Sequence, residues 1–281
     1  MFAVALLIVP VLGGVSASTR AAACSRTPTV GLEPRVQDGG RYLLSVPAIR
    51  DRAPLLVALH GSPRTPEDEA ALWQWERVAK DFIVAYPSRD VHTSTNDTPS
   101  ATWDWSRGSP DVRLVRSIIN SIVDTYCVDP ARIHVTGSSG GAYLAQRMAC
   151  DASDILASIG EYAGGRPDDG YQTWGPARPG DCRPTWPVSV IMFHGTADTN
   201  VSVDAGRMAR YLWANRLGCM NEVTRELSNG STTRLAPCSR GTEVRWREYS
   251  GDDHYTTAVK HLDEIRRAEL AFFAAHPRAP G

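Results

Sequence analysis

Blocks of like charge are missing from this sequence: 30 Lys and Arg stand against 31 Asp and Glu, and the formal net charge is −1 over 281 residues. Nothing in that balance recommends a nucleic-acid surface or an acidic partner. C-x-x-C spacing is missing too, since Cys24, Cys127, Cys150, Cys182, Cys219 and Cys238 stand far apart. Zinc is therefore not expected, and an even cysteine count in an exported chain favours disulfides. Long apolar runs are also missing. The opening "MFAVALLIVPVLGGVSASTRAAAC" is too short to span a bilayer and leads into small residues suited to signal peptidase, as after Ala17 or Ala23. Residues 1–23 read as a signal peptide, although no Lys or Arg precedes the apolar stretch. The run Ala21-Ala22-Ala23-Cys24 has some likeness to a lipoprotein cleavage site. Lipidation of Cys24 would leave one of the other five thiols unpaired, so the even count favours a soluble extracellular form. No internal repeat and no linker divides residues 24–281, which read as one domain.

What is present is a core-forming composition, 42% hydrophobic, arranged in short runs. "RYLLSV" (41–46), "LLVAL" (55–59), "FIVAYP" (82–87), "RIHVT" (132–136), "VSVIMF" (188–193) and "EVRWREY" (243–249) read as strands. Helical spacing is expected over 67–80, 111–125, 142–149, 205–217 and 258–275. Residues 88–110 read as a long polar loop carrying Trp103 and Trp105. Alternation of apolar strands with amphipathic helices implies an α/β fold: a mainly parallel sheet covered by helices on both faces.

Ligands of such sheets gather at the carboxyl ends of the strands. After the strand at 132–136 comes Gly137-Ser138-Ser139-Gly140-Gly141, a G-x-S-x-G match centred on Ser139. Centring it on Ser138 would require glycine at Thr136. The glycines matter because a sharp strand-to-helix turn holds the serine in a strained conformation, and the chain must pass closely on either side. The helix that begins there offers its N-terminal amides and dipole to negative charge developing beside Ser139.

A serine hydroxyl is a weak nucleophile near neutral pH, so it needs a histidine base held by a carboxylate. The strand at 188–193 ends in His194-Gly195-Thr196-Ala197-Asp198, and the strand at 243–249 ends in Ser250-Gly251-Asp252-Asp253-His254. Asp198 and His254 thereby follow Ser139 in the order usual for this arrangement. Asp204 is the substitute acid and His261, inside the last helix, the competing base. His60 and His194 read as structural, and Asp252 and Asp253 as loop charges. Oxyanion donors are expected at the Gly140 amide and at Ser62 or Gly61 of "HGSPRT". Chemistry of this kind needs no metal and no organic cofactor.

Together "LHG", "CVDPARIHVTGSSGGAYLAQRMAC", "FHGTADTNV", "ANRLGC" and "YSGDDH" resemble secreted α/β-hydrolase esterases. They are similar to the feruloyl esterase, acetylxylan esterase and poly(3-hydroxybutyrate) depolymerase group of carbohydrate esterase family one. The likeness covers nearly all of residues 24–281 and implies an α/β-hydrolase fold with Ser139 as nucleophile, Asp198 as acid and His254 as base. "GDDHYTT" is closer to the feruloyl-type branch, whereas "HGSPRT" lacks the second glycine or tryptophan often found after His-Gly. The resemblance suggests a Cys219–Cys238 bridge. Cys127, before the strand leading to Ser139, and Cys150, ending the helix that runs back, are expected to pair at the far sheet edge. Cys24–Cys182 follows by elimination.

Trp103, Trp105 and Trp174 are candidates for a substrate-binding cleft, with packing beneath a loop as the other reading. The expected function is a secreted, monomeric serine esterase cleaving feruloyl or acetyl esters of plant polysaccharide through an acyl-enzyme. A polyhydroxyalkanoate depolymerase is the alternative, and a non-catalytic polysaccharide-binding protein on a hydrolase fold is the alternative of another class.

Overall fold

The computed structural model describes residues 24–48, 51–89, 102–167 and 182–279. The expected signal peptide and Trp174 lie outside the described residues. The strands are β1 (Glu33–Gln37), β2 (Gly40–Ser45), β3 (Ala53–Leu59), β4 (Ile83–Arg89), β5 (Val128–Gly137), β6 (Ser158–Tyr162), β7 (Ser189–Gly195), β8 (Glu222–Leu227), β9 (Gly230–Leu235) and β10 (Val244–Tyr249). They form one ten-stranded sheet in the order β1-β2-β4-β3-β5-β6-β7-β10-β9-β8. From β4 to β10 every neighbouring pair is parallel, and both flanks are antiparallel. The expected parallel sheet is thus the centre of a mixed one.

Every residue of β3, β6 and β7 is buried, as central strands covered on both faces must be. Alternate side chains of β3 feed two cores. Leu55, Val57 and Leu59 join one that includes α3 (Pro110–Thr125), α4 (Gly140–Asp151) and α5 (Val203–Arg216). Leu56 and Ala58 join the other, with α1 (Pro66–Trp73), α2 (Trp75–Val78) and α6 (Thr256–Ala275). The chain is a single domain of the α/β-hydrolase type, with helices on both faces.

Three departures from the sequence reading have physical causes. The helix expected over 67–80 is broken at Gln74, whose φ of 44° and ψ of 42° are left-handed. Two positions apart on one helix do not share a face; the break lets Trp73 and Trp75 both enter the core, stacked with ring centroids 5.7 Å apart. Strands β1, β6, β8 and β9 were not read. β6 is short and has no polar alternation, while β8 is exposed throughout and has no buried face.

The third departure is the disulfide pattern, which is Cys24–Cys127, Cys150–Cys182 and Cys219–Cys238. Expected pairs Cys127–Cys150 and Cys24–Cys182 are therefore incorrect. β5 has ten residues and α4 twelve. At about 3.3 Å per strand residue and 1.5 Å per helical residue, the helix retraces only about half of the strand. Cys150 therefore stops well short of Cys127. The N-terminal segment reaches Cys127 instead, with the Ser25 amide donating to Thr125 O at 2.8 Å and the Cys127 amide to Ser25 O at 3.1 Å.

Two acids are buried where α6 packs on β6. Glu161 on β6 and Glu269 on α6 are both pushed up to about 8 by burial, which hydrogen bonds involving Gly164, Gln146 and Thr136 offset only in part. Among the carboxyls that shift downward, two lie near 2. Glu67 is held at about 2 by the Arg41 guanidinium, and Glu243 at about 2 because His276, Arg245 and Arg234 outweigh its burial. Folded-state carboxyls above their unfolded value stabilise least at high pH: their contribution is intact below about pH 4.5 and is lost by about pH 8. The depressed pair contributes above the usual carboxylate range and loses that as pH falls towards 2. Stability should therefore peak on the acid side of neutrality. Melting measured from pH 5 to 8.5 should show a falling Tm, less steep in Glu269→Gln; a wild-type Tm flat over that window would contradict the assignment.

Candidate active site

Between β5 and α4 the backbone turns at Ser139, where φ is 53° and ψ is −115°. A positive φ in a non-glycine residue is strained, and it persists only where its surroundings dictate it. Here the Ser139 amide donates to Tyr162 O of β6 at 2.8 Å, and the Ser138 amide to Leu59 O of β3 at 3.2 Å. Close passage explains the flanking glycines. A Cβ on Gly141 would stand 2.2 Å from Leu59 O and 2.5 Å from His60 O, and one on Gly137 would stand 2.4 Å from Gly141 O. The adjacent serines face different partners. Both border an open cavity of about 160 Å³, but Ser138 Oγ is engaged, accepting from Trp73 Nε1 at 2.8 Å and donating to Glu69 Oε1 at 2.9 Å.

His254, on the loop between β10 and α6, lines the same cavity. Its Nδ1 lies 2.6 Å from Asp198 Oδ2. Asp198 Oδ1 accepts from the amides of Asn200 and Val201, each at 2.9 Å, and His194 Nε2 lies 3.4 Å from Oδ2. Burial opposes ionisation of Asp198, but hydrogen bonds from His194 and His254 overcome it and hold the carboxyl well below its ordinary range. An ionised carboxylate only accepts, so Nδ1 of His254 carries the proton and a neutral ring keeps its Nε2 lone pair. The Tyr162 phenol donates to the His254 carbonyl. One strand end thus touches both the Ser139 amide and the histidine loop.

The competing residues are engaged elsewhere. His261 Nε2 lies 2.7 Å from Asp252, which also pairs with Lys260. Asp253 accepts from the amides of Tyr255 and Thr256 at the start of α6. Asp204 pairs with Arg207 at 3.0 Å. His60 Nδ1 sits 3.0 Å from Gly61 O, and burial lowers its ring to about 4.

Two amides lie close to Ser139, those of Gly140, next in the chain, and of Ser62, which lines the cavity. Gly140 is the first residue of α4, where an N–H has no intrahelical acceptor. Ser62 N would lie 3.5 Å from a Cβ on Gly140, and among the described residues its N–H donates to no acceptor. The Gly61 amide faces the Glu69 carboxyl instead. Gly140 and Ser62 are accordingly the pair free to meet an anion.

Trp103 and Trp105 do not line this cavity. They are 3% and 8% exposed, with Trp103 stacked on His60 and donating to its carbonyl, and Trp105 stacked on Tyr143. The substrate-binding expectation for both is replaced by packing: each large ring finds an aromatic partner, His60 or Tyr143. Cavity residues that the sequence reading missed include Glu69, Leu72, Tyr162, Asn200, Tyr255 and Val259. Only Tyr162 left a signal, as the aromatic end of the short run "SIGEY".

Gly141→Ala should drive a methyl into the β3 carbonyls and lower stability by about 2–3 kcal/mol, read as a reduced urea midpoint. An unaltered midpoint would contradict the close passage.

No family model matches the chain. It is 31% identical over 118 residues to a poly(3-hydroxyalkanoate) depolymerase C of Paucimonas lemoignei, a match covering 40% of this chain and 28% of that protein. With a bifunctional acetylxylan esterase/xylanase of Neocallimastix patriciarum it shares 25% identity over 243 residues, 82% of this chain and 33% of the relative. The chain therefore spans about a third or less of these relatives. Among solved structures, an acetyl xylan esterase from Aspergillus awamori superposes with a TM-score of 0.69 at 17% identity, covering 86% of this chain and 98% of the other. The fold is that of the α/β serine hydrolases, and the sequence is similar to the acetylxylan esterase and polyhydroxyalkanoate depolymerase group.

Proposed function

We propose that this protein is a secreted serine carboxylester hydrolase acting on acetyl or feruloyl esters of plant polysaccharide. The observation that carries the reading is the His254–Asp198 pair opening onto the same cavity as Ser139 on its strained elbow. In the reaction His254 Nε2 takes the Ser139 proton as Oγ attacks the ester carbonyl carbon. A tetrahedral intermediate forms, its oxyanion meeting the Gly140 and Ser62 amides. Collapse expels the sugar alcohol, which takes the proton from His254. Water then attacks the acyl-enzyme through the same base and releases the acid. Asp198 stays ionised throughout, fixing the tautomer and balancing the imidazolium charge.

Similarity to an acetylxylan esterase supports the polysaccharide ester as substrate. Three disulfides support export to an oxidising compartment, and among the described residues no helix is long and apolar enough to cross a membrane. A second reading, polyester depolymerase, is favoured by Tyr255 and Val259, which border the cavity while 60% and 70% exposed and present apolar surface to a chain of hydroxyacid units.

Turnover of p-nitrophenyl acetate, methyl ferulate and a hydroxybutyrate film separates these substrates. Ser139→Ala should abolish turnover with folding intact, and Asp198→Asn should lower kcat by about 10⁴-fold by allowing the wrong histidine tautomer. Undiminished turnover in Ser139→Ala would overturn the proposal.

A further inference from the structure

Glu69 borders the catalytic cavity, is 1% exposed and has no part in the mechanism above. A carboxyl so placed must be explained, because burying one costs several kcal/mol unless it is paired or neutral. Its Oε1 accepts from Ser138 Oγ at 2.9 Å, and the Ser138 hydroxyl is fixed in turn by Trp73 Nε1 at 2.8 Å. The Gly61 amide faces the same carboxyl, while Oε2 has no partner among the described residues. Ser138 precedes the nucleophile Ser139, and Gly61 precedes the oxyanion donor Ser62. One carboxyl therefore binds the elbow segment and borders the same cavity as the Gly61–Ser62 segment.

We infer that Glu69 is a positioning residue: as a neutral carboxyl it ties the Gly61–Ser62 loop to the Ser138–Ser139 elbow, and as a carboxylate it opposes the oxyanion. The inference rests on the esterase reading and deepens it. Neutrality follows from the surroundings. Burial pushes the Glu69 carboxyl up to about 8, the Ser138 hydroxyl and the Arg64 guanidinium pull it down, and Glu269 on α6 pushes it up further. The other titratable groups nearby are Tyr86 on β4 and Tyr162 on β6, whose phenols are themselves raised by burial, and Tyr255 and His254 around the cavity. Arg266 on α6 is occupied, donating to the Trp73 carbonyl at 3.2 Å.

Charge explains why the neutral form is the working one. The transition state gathers negative charge at the Ser62 and Gly140 amides, and a second negative charge one residue away, shielded from water, raises its energy. Loss of the tie acts differently, by letting the two amides drift apart, and displacements of about 1 Å cost about 100-fold in rate.

Glu69→Ala should lower kcat about 10- to 100-fold while KM stays within about twofold. Glu69→Gln keeps a planar neutral acceptor for Ser138, so it should recover most of that loss. Wild-type kcat should fall as pH rises through about 8, and in Glu69→Gln that alkaline fall should vanish. A merely structural role for Glu69 would not move the pH profile. If Glu69→Ala fails to fold, the Glu69→Gln profile alone decides. A wild-type kcat in Glu69→Ala, or an identical alkaline fall in Glu69→Gln, overturns the role of Glu69 while an active wild type keeps the esterase reading. Absence of turnover by the wild type on every ester removes the esterase reading and this role together.

Discussion

The strained turn at Ser139 is the constraint on which the rest of the site depends. Its φ of 53° is maintained by the Ser139 amide donating to Tyr162 O and by the bare backbone of Gly141 lying against the carbonyls of Leu59 and His60. Those contacts need β5 between β3 and β6, which is the order observed. Once the turn is made, α4 must run back behind the sheet, and the first amide of that helix, at Gly140, is left without an intrahelical acceptor. Strain at Ser139 is thus supported by a fully buried part of the sheet, where three neighbouring strands fix the backbone.

Tyr162 extends that constraint to the other two groups. Its carbonyl holds the elbow and its phenol holds the His254 loop, so the end of β6 sets the spacing between Ser139 and His254. On the next strands, β7 delivers Asp198 and β10 delivers the segment leading to His254. Asp198 and His254 therefore arrive on adjacent strands, which is why residues 56 positions apart come within hydrogen-bond distance. Buried acids accompany this arrangement. Asp198 is ionised because two imidazoles and two amides compensate it, whereas Glu69, Glu161 and Glu269 lack such compensation and are pushed towards neutrality.

Much of this was legible before any coordinates, and the reason is local chemistry. The glycines around Ser139 are dictated by steric contact within a few residues, and strand ends bearing Asp198 and His254 can be found from short apolar runs. Long-range geometry was less accessible. The disulfides depend on how far a strand and a helix each travel, and only the N-terminal segment's path beside Thr125 brings Cys24 to Cys127. Trp103 and Trp105 lie in a polar stretch of sequence, and nothing local tells a ring that lines a cleft from one stacked on His60 or Tyr143. Glu69 reads in sequence as one more acid of the first turn of α1. Its importance comes from Ser138, which is 69 positions away.

Covalent labelling tests the central claim most directly, because it asks whether the elbow serine is activated without presuming the ester. The protein treated with diisopropyl fluorophosphate should gain one adduct by intact mass, located by peptide mapping to Ser139 and missing from Ser139→Ala. An unlabelled wild type, or an adduct carried by Ser138 or any other residue, would contradict the account.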